Sequence, residues 1–222
     1  RRLDAAPEGS VLRTLHEMVH IFCTSEDINN LAYALTVRSA VREVWLPAAA
    51  GLANDLAELA RATAAVPMLA RTHGQPATPT TLGKELAVLA HRLRRQLAHV
   101  ERAEYLGKIN GATGTYAAHA VAVPGTDWEG VARAFVEGLG LTWNPLTTQI
   151  ESHDWQAELY ADVARFNRVL HNLATDVWTY ISLGYFRQNL AAQGSTGSST
   201  MPHKVNPIRF ENAEANLEVS NA

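Results

Sequence analysis

Apolar residues recur along this chain at helical rather than strand spacing. Leu31, Leu35, Leu46, Leu52, Leu56 and Leu59 form a broad stripe, so a long helix is expected from Ile28 to about Ala65, with Pro47 kinking or briefly breaking it. Leu82, Leu86, Leu89, Leu93, Leu97 and Val100 make a second stripe, the mark of a helix with one core-facing side. Leu159, Val163, Phe166, Leu170, Leu173, Val177 and Ile181 predict a third long helix, from about Trp155 to Leu190. Shorter helices are expected at Val11–Phe22, capped by Ser10, at Trp128–Gly138, stopped by Gly140, and after Asn206-Pro207.

Between these stripes lie polar or glycine- and proline-bearing breaks. Thr24-Ser25-Glu26-Asp27 reads as an N-cap followed by an acidic first turn. Arg71 to Pro79, with two prolines and a glycine, reads as a loop. Lys108–Gly114, Val123–Asp127 and Thr142–Asp154 read as further irregular segments, and Gln193–Thr200 as a mobile Gly/Ser/Thr loop. No stretch alternates apolar and polar residues for long, so the expected class is all-α. Helices beyond 30 residues with wide apolar stripes need neighbours on more than one side, which predicts an extended long-helix bundle shared between subunits.

Composition narrows the options further. Of 222 residues, 47% are apolar and 18% charged, enough to build a core and too apolar for a disordered chain. Alanine occurs 36 times against 23 glycines and prolines together, reinforcing the helical reading. A net charge of −3 gives no bulk reason to expect nucleic acid or an anionic membrane as partner. The single cysteine, Cys23, excludes a disulfide scaffold and fits a reducing compartment such as the cytoplasm. No apolar run is long enough to span a bilayer, and the first ten residues lack the apolar core of a signal peptide. A start other than Met leads us to expect a piece of a longer protein.

His16-Glu17-Met18-Val19-His20 matches H-E-x-x-H, in which two His ligands four apart on a helix hold zinc beside a catalytic Glu. A catalytic zinc needs a third protein ligand; positions 23 and 26 hold Cys and Glu where the longer motif has Gly and His, leaving only distant Glu43. With three fixed positions the pattern arises readily by chance. Two ordinary helix histidines are the preferred reading.

The chemistry is expected elsewhere. Small polar, His and amide residues concentrate in Thr24–Asn30, Arg71–Pro79 and Gly197–Pro207, with Lys108–Gly114 and Thr147–Asp154 behind them. Gly197-Ser198-Ser199-Thr200-Met201-Pro202-His203-Lys204-Val205-Asn206-Pro207 resembles the signature loop of the fumarase/aspartase superfamily, G-S-S-x-M-P-x-K-x-N-P. Eight positions are fixed in that pattern, so it is specific. Thr24-Ser25-Glu26-Asp27, Arg71-Thr72-His73-Gly74-Gln75, Lys108-Ile109-Asn110-Gly111 and Gln149-Ile150-Glu151-Ser152-His153-Asp154 carry the likeness to the adenylosuccinate lyases of bacterial type within it.

That resemblance implies that residues 1–222 are the central helical domain of a larger lyase, with the signature loop at 191–205 and with N- and C-terminal domains missing. It implies β-elimination of fumarate from adenylosuccinate to give AMP, and from succinylaminoimidazole carboxamide ribotide, by general acid–base chemistry without cofactor or metal. Small-molecule substrates and a homotetramer with shared active sites are the implied partners, with no nucleic acid and no membrane. By the family pattern His73 is the acid that protonates the departing nitrogen and Ser198 the base, with Ser199 as the alternative. A serine is a poor base in water, so it needs a nest of backbone N–H groups and a nearby cation such as Lys204. Lys204, Val205 and Asn206 would grip substrate, and Thr24, Ser25, Thr72, Gln75, Gln149, His153, Ser199 and Asn212 match substrate-contacting positions.

Each of these residues also has a blander reading. A lone loop histidine such as His73 is ordinarily a hydrogen-bonded surface group, Gly/Ser runs are linkers, and Thr24 and Ser25 can be mere helix caps. The competing functions are another lyase of the superfamily, such as one cleaving argininosuccinate; a zinc hydrolase using His16, Glu17 and His20; and an inactive helical assembly module. The missing ends carry further family contacts, so the 222 residues alone are expected to be inactive.

Overall fold

Thr24, in an extended conformation, opens α1 (Ser25–Ser39), and Asp27 three residues on takes the Thr24 backbone N–H at 2.9 Å. The helix continues through a π-helical segment, Ala40–Trp45, into α2 (Leu46–Ala62), whose first turn holds Pro47. A proline cannot donate to the carbonyl four residues back, and its ring crowds that carbonyl; the wider π turn accommodates both. The expected break at Pro47 is therefore a local change of helix type. The structure, a computed structural model, describes residues 4–189, 200, 201 and 203–222, with the backbone alone for His16 and Glu17.

The chain divides into two units: Arg1–Val44 with Ala103–Ala157, and Trp45–Arg102 with Glu158–Ala222. In the first, a 3₁₀ helix (Val11–Met18) precedes α1. Ser10 begins it as expected, but the α-helical period expected over Val11–Phe22 is absent, and His20 lies in a turn. His20 lies beyond the end of that 3₁₀ helix, so no α-helix carries residues 16–20 as H-E-x-x-H requires. Among the described residues, no three His, Cys, Asp or Glu are grouped as a metal site would need. The buried face of α1 carries Asp27, Asn30, Leu31 and Ala34, a stripe that is polar at its start. Two-residue strands β3 (Leu106–Gly107) and β4 (Thr142–Trp143) pair in parallel, and α4 (Ala117–Ala122) and α5 (Trp128–Gly138) complete the unit. Asp127 caps α5 by accepting the Gly130 N–H at 3.0 Å.

The second unit is built on α2 packed against α3 (Leu82–Glu101). Ala49, Ala53, Leu56, Ala57 and Ala60 face Leu86, Ala90, Leu93 and Leu97, with Phe166 and Val169 of α6 (Asp154–Ser182) closing the core. Leu93 is wholly buried, a contribution of about 1.5–3 kcal/mol from that side chain. The helix expected to reach Leu190 ends at Ser182. Gly184, with φ +78°, lets the Gly184 and Tyr185 N–H groups return to the carbonyls of Ile181 and Tyr180, which closes the last turn. The final helix, α7 (Ile208–Asn221), follows Asn206-Pro207 as expected.

Arg71–Pro79 is not a loop. It belongs to an antiparallel hairpin, β1 (Pro67–Thr72) with β2 (Gln75–Thr81). Thr72 pairs with Gln75, so His73 and Gly74 form a two-residue turn; both have positive φ, +53° and +73°, as a type I′ turn demands. The register slips between Leu69 and Arg71, where β2 inserts an extra residue. Such a bulge, with prolines at 76 and 79, hides the period-2 pattern that would have announced strands. The all-α expectation holds apart from this hairpin and the two-residue pair. No described helix is long and apolar enough to cross a membrane.

Candidate active site

Thr24, Ser25, Gln149 and His153 lie in the first unit; Thr72, His73, Gln75, Lys204, Val205, Asn206 and Asn212 lie in the second. Ser198 and Ser199, with Gly197 and Pro202 of the Gly197–Pro207 signature, fall outside the described residues.

In the first unit the structure joins two expected contacts directly: Gln149 Nε2 donates to Thr24 Oγ1 at 3.1 Å. Among the described residues, the Gln149 side-chain oxygen and the Thr24 hydroxyl proton have no hydrogen-bond partner. Beneath them lies a cluster whose role composition alone did not disclose. Asp27 and Lys108 are both completely buried and form an ion pair, Lys108 Nζ to Asp27 Oδ1, at 2.7 Å. The same carboxylate receives the backbone N–H of Asn110 at 3.1 Å and of Gly111 at 3.2 Å. Asn30, also buried, accepts the Lys108 N–H at 2.8 Å and donates to the Lys108 carbonyl at 3.0 Å. With the Thr24 N–H, three backbone donors therefore join the ion pair at the N-terminal end of α1. The Cys23 thiol beside it has its pKa raised, first by burial and then by the Asp27 carboxylate, so it stays protonated.

His153 sits just before α6 with φ +60°, an uncommon conformation for a residue with a side chain. The fully buried Glu151 carboxylate takes its backbone N–H at 2.7 Å and lies 3.4 Å from its Nδ1 without the alignment of a hydrogen bond. The other Glu151 oxygen is held by Asn144 Nδ2 at 2.9 Å, and Tyr33 meets the imidazole edge-on at 6.3 Å. Glu151 thus fixes the backbone that carries His153. Ser25 is the first residue of α1.

In the second unit His73 stands at the hairpin tip, with Thr72 and Gln75 as the flanking strand pair, all exposed. The Arg71 guanidinium packs over the Tyr185 ring at 4.9 Å, tying the hairpin to the turn after α6. Lys204 Nζ donates to Asn206 Oδ1 at 2.6 Å, and both residues are exposed, so the Asn206 NH₂ lies close to an ammonium group. Gln188 Nε2 holds the Val205 carbonyl at 2.8 Å. Asn212, in the second turn of α7, accepts from Asn216 Nδ2 through both its backbone and its side-chain oxygen. The Lys204–Asn206 pair offers positive charge and N–H donors to a carboxylate, and His73 offers an imidazole on a defined turn.

Asp27, Asn30, Lys108 and Glu151 are the residues that motif reading left without a role. One signal was available for two of them. Asp27 and Asn30 occupy the same helical face as Leu31 and Ala34, so polar groups were bound to be buried there and to need partners.

The family described as Lyase matches residues 9–219. The adenylosuccinate lyase of Escherichia coli K12 is 53% identical over 211 residues, covering 95% of this chain and 46% of that protein. The adenylosuccinate lyase of Vibrio cholerae is 50% identical over all 222 residues and 48% of its own length, and that of Haemophilus influenzae is 51% identical over 206 residues, 93% of this chain and 45% of its own. The chain spans about half the length of the curated relatives it matches. With a family match along nearly its whole length and half of its residues shared with such relatives, the chain belongs to the lyase family.

Proposed function

We propose that this chain is the central domain of a lyase that eliminates fumarate from adenylosuccinate to give AMP, and from succinylaminoimidazole carboxamide ribotide, acting in the cytoplasm as a homotetramer with shared sites. The observation that carries this reading is identity of 50–53% along 95–100% of the chain to adenylosuccinate lyases, with the His73 turn and the signature residues lying inside the matched span.

The reaction asks for three things: a base for a proton next to a carboxylate, stabilisation of the resulting carbanion, and an acid for the departing nitrogen. His73 is the acid. It stands exposed at the tip of a two-residue turn, and an imidazole there can hand over a proton. Lys204 and the NH₂ of Asn206 receive the substrate carboxylate, where negative charge grows as the proton leaves. Thr24 and Gln149 bind a second polar group of the substrate through the hydroxyl proton and carbonyl left open by their mutual hydrogen bond. Ser198 is the base, with Ser199 beside it.

The test is a fumarate-release assay on the whole polypeptide with adenylosuccinate, succinylaminoimidazole carboxamide ribotide, argininosuccinate and simpler succinylated amines. Turnover confined to the two purine substrates is expected. Preference for argininosuccinate, or no release from any of them, overturns the reading.

A further inference from the structure

Two charges that are wholly buried are a poor way to stabilise a fold, because the cost of removing both from water offsets most of their attraction. Lys108 and Asp27 form such a pair, each completely inaccessible. Their placement shows what else they do. Asp27 gathers donors from two separate stretches of chain: the Thr24 N–H at 2.9 Å on one side, and Lys108 Nζ, the Asn110 N–H and the Gly111 N–H on the other. Asn110 in turn donates from Nδ2 to Thr147 Oγ1 at 2.7 Å, two residues before Gln149. The hub therefore holds both halves of the Thr24–Gln149 hydrogen bond, Thr24 through the Asp27 carboxylate and Gln149 through Asn110 and Thr147.

We propose that Lys108 is a positioning residue: by pairing with Asp27 it sets the geometry in which Thr24 and Gln149 meet substrate. This rests on the reading of those two residues as substrate contacts. Without the ammonium, Asp27 loses its one charged donor and keeps only the Thr24, Asn110 and Gly111 N–H groups, so the carboxylate is held less firmly between the α1 N-terminus and the 108–111 segment. A shift of about 1 Å in a binding group is enough to lower productive binding by about a hundredfold. Lys108 touches no reacting atom, so its loss falls on substrate capture more than on proton transfer.

The experiment measures KM and kcat for fumarate release from adenylosuccinate in the whole polypeptide. Lys108→Met, which keeps the side-chain length, is made in the wild type and in a Thr24→Ala/Gln149→Leu background. In the wild type it should raise KM about ten- to hundredfold with a much smaller change in kcat. In the background lacking Thr24 and Gln149 the same substitution should move KM less than about twofold, because the groups it positions are gone. An equal rise in both backgrounds, an unchanged KM, or a loss confined to kcat overturns the proposal. Should Lys108→Met fail to fold by circular dichroism, Asp27→Asn/Lys108→Met removes both charges together, and the same pattern of KM values is required of it. A wild type inactive on adenylosuccinate removes the functional reading and this proposal with it; an active wild type with KM indifferent to Lys108 removes this proposal alone.

Discussion

At the scale of single residues, burial decides protonation. His119 is enclosed by Phe22, Tyr116 and Trp128, with ring centroids 4.9–5.5 Å away, and burial pushes its imidazole pKa below the ordinary 6.5. The unfolded chain therefore binds this proton at higher pH than the folded one. Stability is unaffected well above pH 6.5 and declines as pH falls below it, because folding then requires the ring to give up a proton. The urea midpoint should fall from about pH 7 to pH 5, and His119→Phe should remove part of that slope; an unaltered slope in the variant contradicts the assignment. Motif reading assigned His119 no role, and sequence offers no reason to single it out, since its partners come from three separate segments. Asp27 and Lys108 are the opposite case. Both stand inside motifs that carry the family likeness, yet nothing in a linear string says that residues 81 apart form a fully buried pair.

At the scale of elements, stripes of apolar residues announced the helices, since a 3.6-residue period has no other use in a folded chain. Pro47 was rightly a perturbation, though a π turn absorbs it without ending the helix. The hairpin was not legible, because prolines and a bulge erase the alternation by which strands are recognised. His73-Gly74 was its one available sign: a residue tolerant of positive φ followed by glycine between two short runs. Gly184 was a similar missed stop signal for α6. The junction of hairpin and helix makes a sharp test. A Cβ on Gly83 at the start of α3 would lie 2.2 Å from the Ala60 carbonyl oxygen and 2.6 Å from Ala64 backbone atoms, so α3 can approach the end of α2 only with glycine there. Gly83→Ala should cost about 1–3 kcal/mol in urea denaturation. Gly51→Ala, in α2 with open space around its Cβ, should not destabilise and should gain helix propensity. Equal effects of the two would remove the steric argument.

At the scale of the whole molecule, Thr24, Gln149 and His153 lie in one unit and His73, Lys204 and Asn206 in the other. Relatives are about twice as long as this chain, and the resemblance places further substrate contacts in the remainder. The 222 residues expressed alone should therefore release fumarate from adenylosuccinate at less than about a thousandth of the rate of the whole polypeptide, the loss expected when several binding and positioning groups vanish together. Turnover by the isolated piece close to that of the whole would show that residues 1–222 suffice.

The most direct test of the elimination mechanism is the rate of fumarate release from adenylosuccinate by His73→Ala and Ser198→Ala in the whole polypeptide, with substrate binding followed separately by calorimetry. Removing the acid or the base should lower kcat by several orders of magnitude, on the order of 10²–10⁴-fold or more for each, while affinity for substrate changes little. Normal turnover in either variant, or a loss explained wholly by weaker binding, would contradict the assignment of proton transfer to these two residues.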